Sequence, residues 1–187
     1  DWLQRDSRPT IKAAFPVLYE QFKERYATRL SADVLALGSE LTARIDRYLD
    51  REASAFCLQH GDFRVDNILF SPDATAAHVV DWQTLARGNG AFDIAYLIGT
   101  STADAATRAA DEREIFDAWL TGLRSGGVTP DAAALWADYR VGAFSGFVMA
   151  VFASMNVERT ERGDEMFAVM AERPAQQAID LDSLALI

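Results

Sequence analysis

Cysteine occurs once in this chain, at Cys57, and histidine twice, at His60 and His78. A single thiol closes no internal disulfide, which accords with a reducing, cytoplasmic setting and excludes a disulfide-stapled scaffold. The three soft donors form no spacing that would hold zinc. Cys57, between Phe56 and Leu58, reads as a small buried apolar residue. Positive charge is scarce too: 18 Lys and Arg stand against 28 Asp and Glu, for a formal net charge of -10 and a pI near 4.6. Such a balance lacks the basic footprint of nucleic-acid or anionic-membrane binding, so neither is an expected partner. The most apolar stretch, 141–153, is interrupted by Gly142, Ser145 and Gly146, is too short to cross a bilayer, and reads as a buried helix. No secretory leader opens the chain at Asp1-Trp2-Leu3-Gln4-Arg5-Asp6, and the missing initiator Met points to a trimmed or partial chain. Lysine occurs only at 12 and 23, and no glycine-rich phosphate loop precedes residue 60.

What is present is enough apolar residue, half of 187, for one sizeable core. Ala14, Leu18, Phe22, Tyr26 and Leu30 repeat near a helical period, as do Leu37, Leu41, Ile45 and Leu49, with Ser31 or Asp33 starting the second helix. A middle region, 55–101, breaks that pattern. Helices return over 103–123, ended by Ser125-Gly126-Gly127, over Pro130 to Asn156, and over 164–178, broken or kinked at Pro174. The expected class is mainly α with a small β-hairpin, in three regions: helices over 1–54, the hairpin and its loops over 55–101, and a helical subdomain over 102–187.

The middle region carries the chemistry. Val65, Ile68, Leu69 and Phe70 are followed by the turn residues Ser71-Pro72-Asp73, and Ala77-His78-Val79-Val80 reads as a returning strand. Asn67 then stands where the first strand begins and Asp81 where the second ends, so pairing brings residues 14 apart in sequence to one edge. Asp62, Asn67 and Asp81 form the set that phosphoryl transfer to an alcohol needs. Asp62 can orient a hydroxyl and accept its proton, Asn67 offers a neutral oxygen, and Asp81 offers a charged one for magnesium. Arg64 is expected to pair with an acidic neighbour, Asp66 to form the turn, and His60 to bond backbone beneath the loop. Asp93, ahead of Ile94-Ala95-Tyr96-Leu97, fits a helix N-cap, with Gly88-Asn89-Gly90 as the loop before it.

His60-Gly61-Asp62 with Asn67 and Asp81 resembles the catalytic loop and metal segment of the aminoglycoside phosphotransferase and choline kinase-like superfamily. Asp81-Trp82-Gln83 and the run from Gly88 to Leu97 are similar to its ecdysteroid kinase-like and bacterial phosphotransferase branch, and the close likeness covers Cys57 to Ser101. The resemblance implies the C-terminal lobe of a protein kinase-like fold, Asp62 as catalytic base, Asn67 and Asp81 as Mg2+ and cofactor ligands, and His60 and Asp93 as structural supports. ATP or another nucleoside triphosphate would be the donor and a small hydroxylated molecule the acceptor, since Gly61 and Trp82-Gln83 stand where protein kinases carry Arg and Phe-Gly. The N-terminal lobe of such an enzyme, with its phosphate-gripping Lys, is not recognisable in 1–187. The chain thus reads as part of a longer protein, inactive alone, the alternative being a stand-alone degenerate homologue that never had the lobe. Competing readings are a non-catalytic kinase-like binding module and a metal-dependent phosphohydrolase using Asp62 and Asp81. Trp119, Trp136, Tyr139 and Met155 are candidate acceptor-pocket residues and equally good core residues.

Overall fold

The computed structural model describes residues 6–102 and 104–187; the charged opening 1–5 and residue 103, the expected first residue of a helix, lie outside the described residues. The helices are α1 (Arg8–Tyr26), α2 (Ala32–Ala43), α3 (Ile45–Asp50), α4 (Gly90–Ser101), α5 (Ala105–Ser125), α6 (Ala132–Gly142), α7 (Phe144–Asn156) and α8 (Glu161–Asp180). The strands are β1 (Cys57–Gln59), β2 (Ile68–Phe70), β3 (Ala77–Val79) and β4 (Ala86–Gly88). The expected class, mainly helical with a small hairpin as in a kinase-like C-terminal lobe, is the observed one. The chain divides into two compact units, Ala53–Gly142 and a second built from the helices before Glu52 together with Ala143–Ile187.

In the second unit, Phe15, Tyr19, Phe22 and Tyr26 follow one another at three- and four-residue steps, so they share one face of α1, and all four are fully buried. Full burial of a side chain of this size stabilises by roughly 1.5–3 kcal/mol. Phe147 of α7 meets both Tyr19 and Phe22, and Phe152 meets Phe15. The expected stripe through Ala14 and Leu18 is thus one residue off: the larger rings at 15 and 19 take the core and those two residues are only partly buried. Asp164 of α8, 1 % exposed, accepts from Arg25 Nε (2.9 Å), Arg25 Nη2 (2.6 Å), Tyr26 Oη (3.1 Å) and, through its other oxygen, Arg159 Nε (3.0 Å). Burial alone would raise this carboxyl, but the bonds from Arg25, Tyr26 and Arg159 outweigh it and hold its pKa below the ordinary value.

Four sequence expectations about helices need correction. The single helix through Leu49 is two, α2 and α3, meeting at Arg44, whose φ of -113° leaves the helical range. The helix expected from Pro130 to Asn156 is also two, α6 and α7, separated at Ala143. Of the break or kink expected at Pro174, the break does not occur: one backbone bond is lost, while Ala171, Ala175 and Ala178 bury the same stripe across the proline and carry the helix through. The helix expected to begin at Asp93 begins at Gly90, where the Asn89 side chain accepts from Ala91 N at 2.9 Å, so Asn89 and not Asp93 is the cap.

In the first unit, α4 and α6 cross closely. A Cβ on Gly142 would stand 2.9 Å from the Phe92 Cα, so only glycine permits that approach. Asp138 of α6 is fully buried and accepts from Ser54 N at 2.9 Å, from Ser54 Oγ and from Asn89 Nδ2, fixing the chain on either side of the β1–β4 region. Phe116, Trp119, Trp136 and Tyr139 form one aromatic cluster, and the Tyr139 hydroxyl donates to Glu112 at 2.7 Å. Two antiparallel pairs complete the unit. β2–β3 is the expected hairpin, with Ile68 opposite Val79 and Phe70 opposite Ala77. β1–β4 was not expected, and it makes Gly88 a strand residue opposite Cys57, not part of a loop. Cys57 is exposed, because its short two-stranded sheet leaves it and Leu58 at the surface; its reading as a buried residue is corrected. Among the described residues no helix is long and apolar enough to cross a membrane.

Candidate active site

Strand β1 delivers the chain into a loop anchored from the inside by His60, which is 2 % exposed. Its Nε2 donates to the Val80 carbonyl at 2.9 Å, and its Nδ1 accepts from Asp62 N at 3.3 Å, so the pattern of bonds puts the proton on Nε2. The ring lies 4.7 Å from Trp82 and 5.9 Å from Phe63, centroid to centroid. Beneath the loop, Asp93 spans two successive amides: Oδ2 accepts from His60 N at 2.7 Å and Oδ1 from Gly61 N at 2.9 Å. Burial pushes the Asp93 carboxyl above its ordinary pKa, and the two N–H bonds offset part of that rise. His60 and Asp93 therefore both bond loop backbone.

Gly61 makes the turn possible. Its φ is +81°, and a Cβ there would lie 2.9 Å from the Thr84 carbonyl oxygen. Thr84 is drawn in because its hydroxyl donates to the His60 carbonyl at 2.6 Å. Nothing in the composition around Thr84 announces this contact.

After the turn, Asp62 is brought against Asn67. The Asn67 Nδ2 donates to the Asp62 carbonyl at 2.8 Å and to the Asp62 Oδ2 at 3.0 Å, which leaves Asn67 Oδ1 as the oxygen able to serve a ligand. A short 3-10 turn over Val65–Asn67 sets this offset, closed by Asn67 N to Arg64 O at 2.9 Å. Arg64 pairs with Asp66 through Nε at 2.8 Å and through Nη2, as expected.

The hairpin register then fixes where Asp81 lies. Val80 N donates to the Asn67 carbonyl at 2.9 Å, one step beyond the Ile68–Val79 pair, while the Val80 carbonyl is held by His60. Asp81, the next residue, is exposed and adopts the left-handed conformation, φ 62° and ψ 56°. The backbone thus leads both Asn67 and Asp81 to the same end of the hairpin, with Asp62 bonded to the first. Among the described residues no three His, Cys, Asp or Glu side chains form a group that could hold a metal ion. Of the pocket candidates, Trp119, Trp136 and Tyr139 sit in the aromatic cluster of this unit and Met155 belongs to the other unit.

Comparison with known proteins bears on this loop. Residues 3–136 match the model of the phosphotransferase enzyme family. Acyl-CoA dehydrogenase family member 11 from Gallus gallus is 34% identical over 76 residues, a stretch covering 40% of this chain and 10% of that protein. The chain therefore spans only a small part of that relative's length. No solved structure matches. The family match runs through Asp62, Asn67 and Asp81 and takes in more than half of the sequence, and the chain belongs to the phosphotransferase enzyme family.

Proposed function

We propose that this phosphotransferase moves the γ-phosphate of ATP, or of another nucleoside triphosphate, to the hydroxyl of a small molecule, with Asp62 as the base. The observation that carries the reading is the bond from Asn67 Nδ2 to Asp62 Oδ2 at 3.0 Å, which orients the carboxylate and uses the amide nitrogen, not the amide oxygen. In this reading Asp62 receives the acceptor's proton, and Asn67 and Asp81 hold Mg2+. The donor set fits that ion, which prefers one or two protein oxygens and completes its shell with water and phosphate. When bound, Mg2+ would neutralise charge on the phosphate oxygens. His60 and Asp93 keep the loop backbone in place, so that the carboxylate meets the hydroxyl in one geometry.

A lysine that grips the phosphates would come from a lobe outside 1–187. Lys12 and Lys23 both lie in α1, and Lys12 Nζ is bound to Asp50 at 2.7 Å. The acceptor is proposed to be a small hydroxylated molecule, and the acidic balance of the chain suits a cationic one such as an amino sugar or a choline-like alcohol.

The deciding experiment is Asp62→Ala in the full-length protein, assayed with MgATP against choline, glucosamine and kanamycin. Transfer should fall by about three orders of magnitude or more with ATP affinity nearly unchanged. Unchanged phosphorylation of the best acceptor would sink the assignment. Steady phosphate release with no alcohol present, dependent on Asp81, would instead favour the hydrolase alternative.

A further inference from the structure

Helix α4 underlies the loop along its length. Asp93, one turn into the helix, holds His60 and Gly61, and Ser101, at its end, accepts from Val65 N at 3.1 Å. The loop residues between those two ties are Asp62, Phe63 and Arg64. On the helix, the residues between the ties and on the Asp93 face lie three and four positions on, at Tyr96 and Leu97. Tyr96 is 4 % exposed, and its hydroxyl is buried with no hydrogen-bond partner among the described residues. A buried hydroxyl without a partner costs free energy, and such atoms are rare enough to require a cause. Burial first, and then the charge and hydrogen-bonding pull of the neighbouring Asp62, raise the pKa of the Tyr96 phenol, so it stays a protonated donor beside the Asp62 side chain.

We infer that Tyr96 is a positioning residue for the transfer reaction: its hydroxyl donates to the Asp62 carboxylate in the reacting complex, a second donor beside Asn67 Nδ2. The inference rests on Asp62 being the base. Donors in catalytic loops commonly stand apart before the reactants bind and close when they do. Held by Asn67 at Oδ2 and by Tyr96 from the helix side, the carboxylate would have one rotational setting about its Cβ–Cγ bond, and the acceptor hydroxyl one approach to it. Tyr96 itself is too deeply buried to touch the acceptor.

Two measurements test it. In a crystal structure of the full-length protein with Mg2+ and adenylyl imidodiphosphate, the Tyr96 Oη should stand about 2.5–3.0 Å from an Asp62 carboxylate oxygen. A hydroxyl bonded to another group, or still without a partner, overturns the inference. In kinetics with MgATP and choline, glucosamine or kanamycin, Tyr96→Phe should lower kcat about tenfold and leave KM for MgATP and the melting temperature unchanged. In an Asp62→Asn background the same change should cost nothing more. A Tyr96→Phe enzyme with full kcat, or one altered only in KM, overturns it as well. An inactive Asp62→Ala beside an unimpaired Tyr96→Phe sinks this inference alone, whereas an active Asp62→Ala sinks the reading beneath it.

Discussion

Asp93 holds Gly61 by one carboxylate oxygen and the preceding residue by the other, so a single side chain in α4 bonds two consecutive peptide groups of the loop that presents Asp62. The two amides point inward only while that carboxylate receives them.

Replacing Asp93 with Ala should therefore release both. We expect phosphoryl transfer in the full-length protein to fall by about a hundredfold, as a displacement on the order of 1 Å does to a positioned group. Hydrogen exchange at His60 and Gly61 should quicken in the same variant. Unchanged exchange at these amides would mean that the loop is held by something else.

Gly61→Ala tests the turn itself. The left-handed φ of +81° and the Thr84 carbonyl 2.9 Å from the new methyl together should destabilise the protein by about 1–3 kcal/mol, read as a lower midpoint in urea. A midpoint equal to that of the parent would show that the backbone relaxes there without cost.

Asn67→Leu preserves the approximate volume and removes the amide. Asp62 Oδ2 then loses its donor and the hairpin end loses an oxygen. Transfer should drop about 10- to 100-fold, and the Mg2+ concentration for half-maximal rate should rise about tenfold. A rate loss without any change in Mg2+ requirement would confine Asn67 to holding Asp62.

The Asp164 cluster makes a prediction about acid. Its carboxyl has a folded pKa below the ordinary 3.8, so its contribution to stability is fully present above that value and is lost as pH falls through the folded pKa. The melting temperature should be flat from about pH 7 to pH 5 and fall below about pH 4. Asp164→Asn should melt about 5–10 °C lower near neutrality and show a shallower acid limb. An acid limb identical to the parent's would show that other groups govern the loss.

How far the sequence could be read depended on how local the cause was. The β2–β3 hairpin was legible because Ser71, Pro72 and Asp73 encode a turn within a few residues, and the Arg64–Asp66 pair and the Ser31 cap are equally local. The loop support by Asp93 was implied by resemblance to known phosphotransferases, and its two bonds are in the structure. The β1–β4 pair escaped notice because three-residue strands with mostly exposed side chains carry no alternation. Asp93 was read as a cap since Asp satisfies that rule, yet Asn89 satisfies it four residues earlier and is itself fixed by Asp138, a contact 49 residues distant. Thr84 on His60 belongs to the same kind, made by tertiary packing and invisible in the local pattern. Tyr96 did carry a signal, its three-residue spacing from Asp93, which places it on the face turned to the loop.

On the proposed reading, the left-handed backbone of Asp81 sets folding and chemistry against each other at one position. Outside glycine that conformation costs on the order of 1 kcal/mol, so Asp81→Gly relieves strain in the native state. If Asp81 holds Mg2+ as proposed, a library of this protein sorted for heat resistance alone would drift from aspartate to glycine at position 81, and the survivors would be the ones in which phosphoryl transfer had been surrendered.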